Sequence, residues 1–262
     1  MALPASGTLS LNEIHIEAGG TTATEASIND ADIRDLIGKS SGTTMSFNEW
    51  YGASASLTLT AQSNATASGS SITTPSFAAG DIAIVSAYKV MSTANISAYL
   101  PTGFTQISNR ASVRTRSTKA GTTTQYQNVR TGYKVLAAGD TSLASTNATG
   151  MSVSIYRPST AITTVLVRDL SSAYSNTINC SDSSLSTIAF GVSLNRNSAA
   201  PTHTWGAGPT VNQVVGELRT GDYLQNPQAS NVSWSTNSYT GNLSNSNGFD
   251  ITVATSGYLE VS

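Results

Sequence analysis

Any acid–base or nucleophilic chemistry in this chain must come from a sparse set of side chains. The sequence holds two histidines, His15 and His203, one cysteine, Cys180, and 15 acids. The histidines lie far apart, and neither falls in a metal-binding or catalytic spacing. No G-x-S-x-G, H-E-x-x-H or Walker phrase occurs. A glycosidase pair of distant carboxylates leaves no local signature, but several of these acids sit where helix starts and turns would use them. Cys180 has no partner for an internal disulfide and reads as a small buried residue. Gly80-Asp81, Gly139-Asp140 and Gly221-Asp222 each lie beside an expected strand. Calcium would need about six to eight oxygens, and no tight D-x-D-x-D cluster supplies them. Turns account for the dipeptide instead, with Gly at positive φ and Asp capping the backbone. The expectation is a protein without enzymatic activity, cofactor or metal.

Two groups of side chains suit binding. Trp205 lies in Pro201-Thr202-His203-Thr204-Trp205-Gly206, and Trp234 and Tyr239 lie among Ser, Thr and Asn. Aromatic faces beside hydroxyls and amides suit sugar stacking, so these three are candidate glycan contacts. The blander alternative is that they fill the core. Arg110, Arg114, Arg116 and Lys119 form a basic run in what reads as a long Ser/Thr-rich loop, solvated or between subunits.

The elements that must position these groups fall into two kinds. One phrase recurs in the first fifty residues: Ser10-Leu11-Asn12-Glu13, Ser27-Ile28-Asn29-Asp30 and Ser46-Phe47-Asn48-Glu49. Ser, an apolar residue, Asn and an acid have the spacing of a capping box. The spacing predicts helices starting at Ser10, Ser27 and Ser46, ended by Gly19-Gly20, Gly38 and Gly52. Leu9 and Met45 are candidate hydrophobic staples. The apolar set Leu11, Ile14, Ile33, Leu36, Phe47, Trp50 and Tyr51 looks too small for a robust core. Residues 1–53 are therefore expected to form a helical attachment module that docks, through those residues, on another protein or a second copy.

Beyond residue 53 the helical signals stop. Residues 54–72 read as a linker with a first strand near Leu57–Thr60, Ala61 to Ser71 being a loop or flexible spacer. Residues 73–262 read as eight to ten short strands separated by Gly, Asn and Ser turns. That pattern predicts a mainly β body, an antiparallel β-sandwich of jelly-roll-like type. Charged residues are only 11% of the chain, against a usual value of about 25%. A net charge of −2 gives no basic footprint for nucleic acid and argues against an anionic membrane surface. No 18-residue apolar run predicts a membrane span. Met1-Ala2-Leu3-Pro4-Ala5-Ser6 lacks the basic and apolar regions of a signal peptide, so synthesis in a reducing cytoplasm is expected.

The head phrases, in their order and with Met45-Ser46-Phe47-Asn48-Glu49-Trp50-Tyr51-Gly52, resemble the N-terminal module of tailed-bacteriophage virion proteins, several of them from cyanophages. The body resembles, more loosely, phage β-sandwich domains. It does so through Phe77-Ala78-Ala79-Gly80-Asp81-Ile82, Pro101-Thr102-Gly103-Phe104-Thr105 and Tyr133-Lys134-Val135-Leu136-Ala137-Ala138-Gly139-Asp140. Phe104 stands where Trp is expected in that family. The resemblance implies a non-enzymatic virion component of the tail fibre or baseplate, made in the host cytoplasm. It implies other virion proteins as partners and a homo-oligomer, with a trimer as the candidate although no heptad demands one. Host surface glycan would be a further ligand. A capsid decoration protein and a glycan-binding module are the alternatives.

Overall fold

Ser10 starts a helix as its spacing dictates. Its side chain accepts the N–H of Glu13 at 3.2 Å, and the Glu13 carboxylate accepts the N–H of Ser10 at 2.7 Å. This reciprocal cap opens α1 (Leu11–Glu17). The computed structural model describes residues 3–53, 55–91, 98–118, 121–169, 175–179, 185–195, 203–205, 211–215, 218–225, 233–238 and 252–262. The chain divides into two units, Met1–Ser56 and Leu57–Ser262.

In the first unit α2 is Ala31–Asp35, and a single 3-10 turn spans Phe47–Trp50. The second helix therefore starts three residues later than its phrase predicts, with Asp30 and not Ser27 as N-cap. Asp30 turns its carboxylate back to the N–H of Ser27 at 2.7 Å, so Ser27 closes a turn ahead of the helix. The unit also has a core of its own, contrary to the expectation drawn from its apolar count. Leu3, Ile14, Ile33 and Trp50 are buried, and Leu9, Leu11, Ile28, Leu36, Ile37 and Met45 pack around them. Trp50 Nε1 donates to the Ile33 carbonyl at 3.0 Å. Arg34, 4% exposed, replaces missing apolar volume by holding loop backbone. Its guanidinium donates to Asn29 Oδ1 at 3.0 Å, to the Thr43 carbonyl at 3.1 Å and to the Ser40 carbonyl. Apolar counting misses such a residue because it reads Arg as surface.

The second unit is all β. Its strands are β1 (Leu59–Ser68), β2 (Ser71–Thr73), β3 (Ile82–Met91), β4 (Thr105–Thr118), β5 (Gly121–Val135), β6 (Ser142–Ala144) and β7 (Gly150–Pro158). They continue with β8 (Val165–Asp169), β9 (Ser175–Asn179), β10 (Ser186–Asn195), β11 (His203–Trp205), β12 (Val211–Val215), β13 (Leu218–Gln225), β14 (Ser233–Ser238) and β15 (Thr252–Val261). Two five-stranded antiparallel sheets carry the fold, ordered β1-β7-β3-β5-β4 and β12-β13-β10-β15-β8. They meet through one core, where Leu59, Ile82, Ile84, Val129 and Tyr156 face Ile188, Phe190, Val192, Leu218 and Leu259. This is the expected antiparallel sandwich, with each sheet made by one consecutive half of the body.

The other face of the first sheet is covered as well. Ala83, Val85, Met151, Val153 and Ile155 pack under Ile72 and Leu143 of the small β2–β6 sheet. Seven consecutive residues in each of β3 and β7 are buried as a result. Buried on both sides, a strand loses the alternation of a half-exposed one. Ala61 to Ser71, expected as a spacer, is mostly strand. Its inward positions in β1 are small residues such as Ala61, Ala65 and Ala67, which give no apolar rhythm. A bulge between Ala61 and Ser63 shifts the register, so that Ala61 serves one core and Ala65 and Ala67 the other.

The two halves repeat one plan. Written by chain position, β1, β3, β4, β5 and β7 lie in the order first-fifth-second-fourth-third, and β8, β10, β12, β13 and β15 lie in the same order. In each half a short strand after the first pairs with one before the last, β2 with β6 and β9 with β14. The registers of the three central strands match, while the bulges of β1 and β4 have no counterpart in β8 and β12. Gly132 faces Val85, which faces Val153; Gly221 faces Gly191, which faces Ser256. This alignment superposes Val129-Arg130-Thr131-Gly132 on Leu218-Arg219-Thr220-Gly221, and Ile82-Ala83 on Ile188-Ala189. The body is a structural duplication whose equivalent faces meet in the central core.

Candidate functional site

Five acids act in one way. Glu13, Asp30, Glu49, Asp81 and Asp140 each accept the backbone N–H of the residue three positions earlier: Ser10, Ser27, Ser46, Ala78 and Ala137, at 2.7 to 3.2 Å. The backbone N–H of Ser10 holds the Glu13 carboxyl below its usual range, while Lys39 and then Ser46 do so for Glu49. Asp81 is 2% exposed and takes two bonds from Arg157, both at 2.9 Å. Burial would raise its pKa, but Arg157 and the Ala78 N–H outweigh burial and lower it. Asp140 takes Lys134 Nζ at 2.6 Å, which with the Ala137 N–H lowers its pKa. These carboxylates are engaged in closing turns.

Gly221-Asp222 is different and corrects the expectation of a turn. It lies inside β13, facing Gly191 and Phe190 of β10. The Asp222 carboxylate is buried between the sheets and accepts the Tyr156 hydroxyl at 3.0 Å. Burial pushes its pKa up to about 6, against the pull of hydrogen bonds from Ser154 and Tyr156. Burial, followed by the Asp222 charge, likewise pushes the Tyr156 hydroxyl upward. The pair is enclosed by core residues. The duplication gives Asp222 the place of Tyr133, which faces Ile84 as Asp222 faces Phe190. Reading for the repeated Arg-Thr-Gly would have placed it inside a strand.

The module's candidate docking residues separate into two groups. Ile14, Ile33 and Trp50 are fully buried, and Leu11 and Leu36 pack against them. They hold the module together, which corrects their assignment as a contact surface. Tyr51 is half-buried and donates its hydroxyl to the Gly7 carbonyl at 2.6 Å. Phe47 remains outward at 39% exposure, its ring 6.0 Å from that of Trp50, and Ile16 adds a second apolar surface residue at 43%. His15 bonds Thr24 Oγ1 at 2.7 Å and lies so close over Gly20 that a Cβ there would meet its ring.

The basic run also changes character. Arg110, Arg114 and Arg116 lie on β4, a strand and not a loop, while Lys119 lies outside the described residues. Arg110 Nη2 donates to both carboxylate oxygens of Asp169, each at 2.8 Å. Val113 between these arginines is 60% exposed.

Trp205 and Trp234 are on β11 and β14, and His203 is on β11. Tyr239 and Cys180 lie outside the described residues. Trp205 faces Thr236, two positions from Trp234, so both tryptophans belong to one face of the small sheet. Ile178 pairs with Trp234 as Ile72 pairs with Leu143, and each Ile precedes the matching core Ile, Ile188 or Ile82, by ten residues. Trp234 thus holds the position of buried Leu143. The sheet beneath carries Gly191 and Ser256 where the first half has Val85 and Val153.

No protein-family model, no curated protein and no solved structure matches the chain.

Proposed function

We propose that this chain is a structural component of a tailed-phage virion, in the tail or baseplate, attached through its N-terminal module. The observation that carries this reading is the module itself. Residues 3–53 close on their own core, and the Leu3 N–H bonds the Ala53 carbonyl at 2.8 Å, tying the two ends together. A preformed plug of this kind binds without the ordering cost that a disordered tail incurs. Phe47 and Ile16 are the apolar side chains it presents. The body supports the same reading. Asp81, Asp140 and Asp169 pair with Arg157, Lys134 and Arg110, and among the described residues its exposed positions are rich in hydroxyls and amides. Such a surface relies little on ion pairs that salt would screen.

The intact protein, incubated with purified phage tails and purified capsids, is expected to bind tails. Binding to capsids alone would replace the tail assignment with a capsid decoration role. Binding to neither would overturn the virion reading.

A further inference from the structure

One stretch of the first sheet's outer face gathers hydrogen-bond donors that lack acceptors among the described residues. The strand register places them. Lys89 on β3 faces Asn128 on β5, and Asn109 on β4 faces Arg130 on β5. Residues opposite one another, or two apart on one strand, share a face. Lys89, Asn109, Asn128 and Arg130 therefore form one patch, on the side away from the central core that Val129 enters. Residues 98–100 run over this face along β5. The Ala98 N–H donates to Asn128 Oδ1 at 2.8 Å, and Tyr99 lies over Arg130.

The hydrogen bonds fix what the patch offers. Ala98 claims Asn128 Oδ1, so Asn128 Nδ2 must donate, and it does so to Asn109 Oδ1 at 2.8 Å. Asn128 is 2% exposed and acts as a buried post. Asn109 is exposed and accepts through its oxygen, which leaves its Nδ2 hydrogens to donate. Arg130 Cζ lies 5.3 Å from the centre of the Tyr99 ring, and its Nε is buried without a hydrogen-bond partner. Stacking on the ring thus holds the guanidinium, and its Nη groups remain as donors. Tyr99 is itself 46% exposed. Lys89 adds a second cation. No acid occurs between Asp81 and Asp140, and those two are paired with Arg157 and Lys134.

A ligand that completes this patch carries an anion for Arg130, acceptor oxygens for Asn109 and an apolar face for Tyr99. Two cations are too few for a nucleic-acid backbone, whose binding neutralises several phosphates in a row. A carboxylated sugar supplies all three features. Its planar carboxylate matches the guanidinium fork, its hydroxyls accept from the amide, and its C–H faces stack on an aromatic ring.

We propose that Lys89, Tyr99, Asn109 and Arg130 form a binding site for an acidic saccharide, with the carboxylate held by Arg130 and Lys89. The inference concerns the body alone and does not rest on the tail assignment.

The test titrates the full chain with tetragalacturonate, followed by NMR in low salt. Its methyl ester keeps the sugar and loses the charge, and tetraglutamate keeps the charge and loses the sugar. Wild-type protein is expected to bind tetragalacturonate, and the ester more than about tenfold more weakly. Arg130→Gln should weaken binding of tetragalacturonate by about tenfold or more, and Tyr99→Ala by about two- to tenfold. Asn109→Asp gives the same loss by another route. Its carboxylate still accepts from Asn128, so the post is kept, but it repels the ligand. Arg168→Gln removes an exposed cation from β8 in the other sheet and should leave binding unchanged. Circular dichroism confirms folding throughout. Absence of binding, equal binding of the ester, or unchanged binding by folded Arg130→Gln or Asn109→Asp overturns the proposal. So does tetraglutamate binding as tightly as the sugar, which would assign the patch to acidic peptides. An equal loss in Arg168→Gln also overturns it, since net charge and not this site would then be read.

Discussion

Asp222 sits in an environment far from its ordinary chemistry. Its carboxyl is enclosed between two sheets, and its pKa is raised from 3.8 to about 6. The folded state holds its proton more tightly than the unfolded chain, so the associated stability is complete below about pH 4 and is lost as pH rises through 6. A shift of this size corresponds to about 3 kcal/mol. In Asp222→Asn the amide oxygen still accepts the Tyr156 hydroxyl, but the titration is gone. Thermal unfolding of the variant should be less pH-dependent than wild type between pH 4 and 7, with a higher Tm near neutrality. Identical pH profiles would show that Asp222 is not buried as described. The sequence revealed half of this chemistry. Ala-Ala-Gly-Asp at residues 78–81 and 137–140 states a turn, because the Asp bonds the first Ala N–H and nothing distant is needed. Gly221-Asp222 has the same two letters, but its role depends on pairing with Phe190 and Gly191, some thirty residues away.

Elements were legible where local bonds define them. The three Ser-apolar-Asn-acid phrases mark three turns closed by the same acid-to-N–H bond, although in the second that turn precedes the helix. Trp50 was visible as an apolar residue, but its contact with the Ile33 carbonyl joins segments seventeen residues apart. Trp50→Ala should cost about 3–5 kcal/mol and abolish the module's unfolding transition while the body's transition stays. Loss of both transitions together would mean that the units do not fold separately. β1 beyond Leu59 was hidden for a different reason. Ala61, Ala65 and Ala67 fill its inward positions, so strand pairing and not apolar rhythm makes it a strand. Gly132 marks a close approach that pattern reading passes over: a Cβ there would meet Leu100 Cδ1 at 2.5 Å and the Thr105 carbonyl at 2.7 Å. Gly132→Ala should lower stability by about 1–3 kcal/mol, read as an earlier urea midpoint. An unchanged midpoint would mean that β4 shifts away freely.

At the scale of the whole molecule, two observations combine. The body repeats one five-strand sheet order and faces the two sheets together over a mostly apolar core that also encloses the Asp222 carboxyl. The halves differ in residue size at equivalent register positions, Val85 against Gly191 and Val153 against Ser256. That difference is why direct comparison of the two sequences shows little beyond Arg-Thr-Gly. The module is a separate unit with its own core, joined to the body at Leu57. The chain is polar in charge along its sequence, with an acidic first unit and no acid between Asp81 and Asp140. These features suit repeated assembly on a particle. The most direct test is a reconstruction of a tailed-phage particle containing this chain. The account predicts residues 3–53 enclosed by neighbouring subunits of the tail or baseplate, with the two-sheet body projecting from it. A module standing free in solvent while the body sits in the capsid lattice would contradict it.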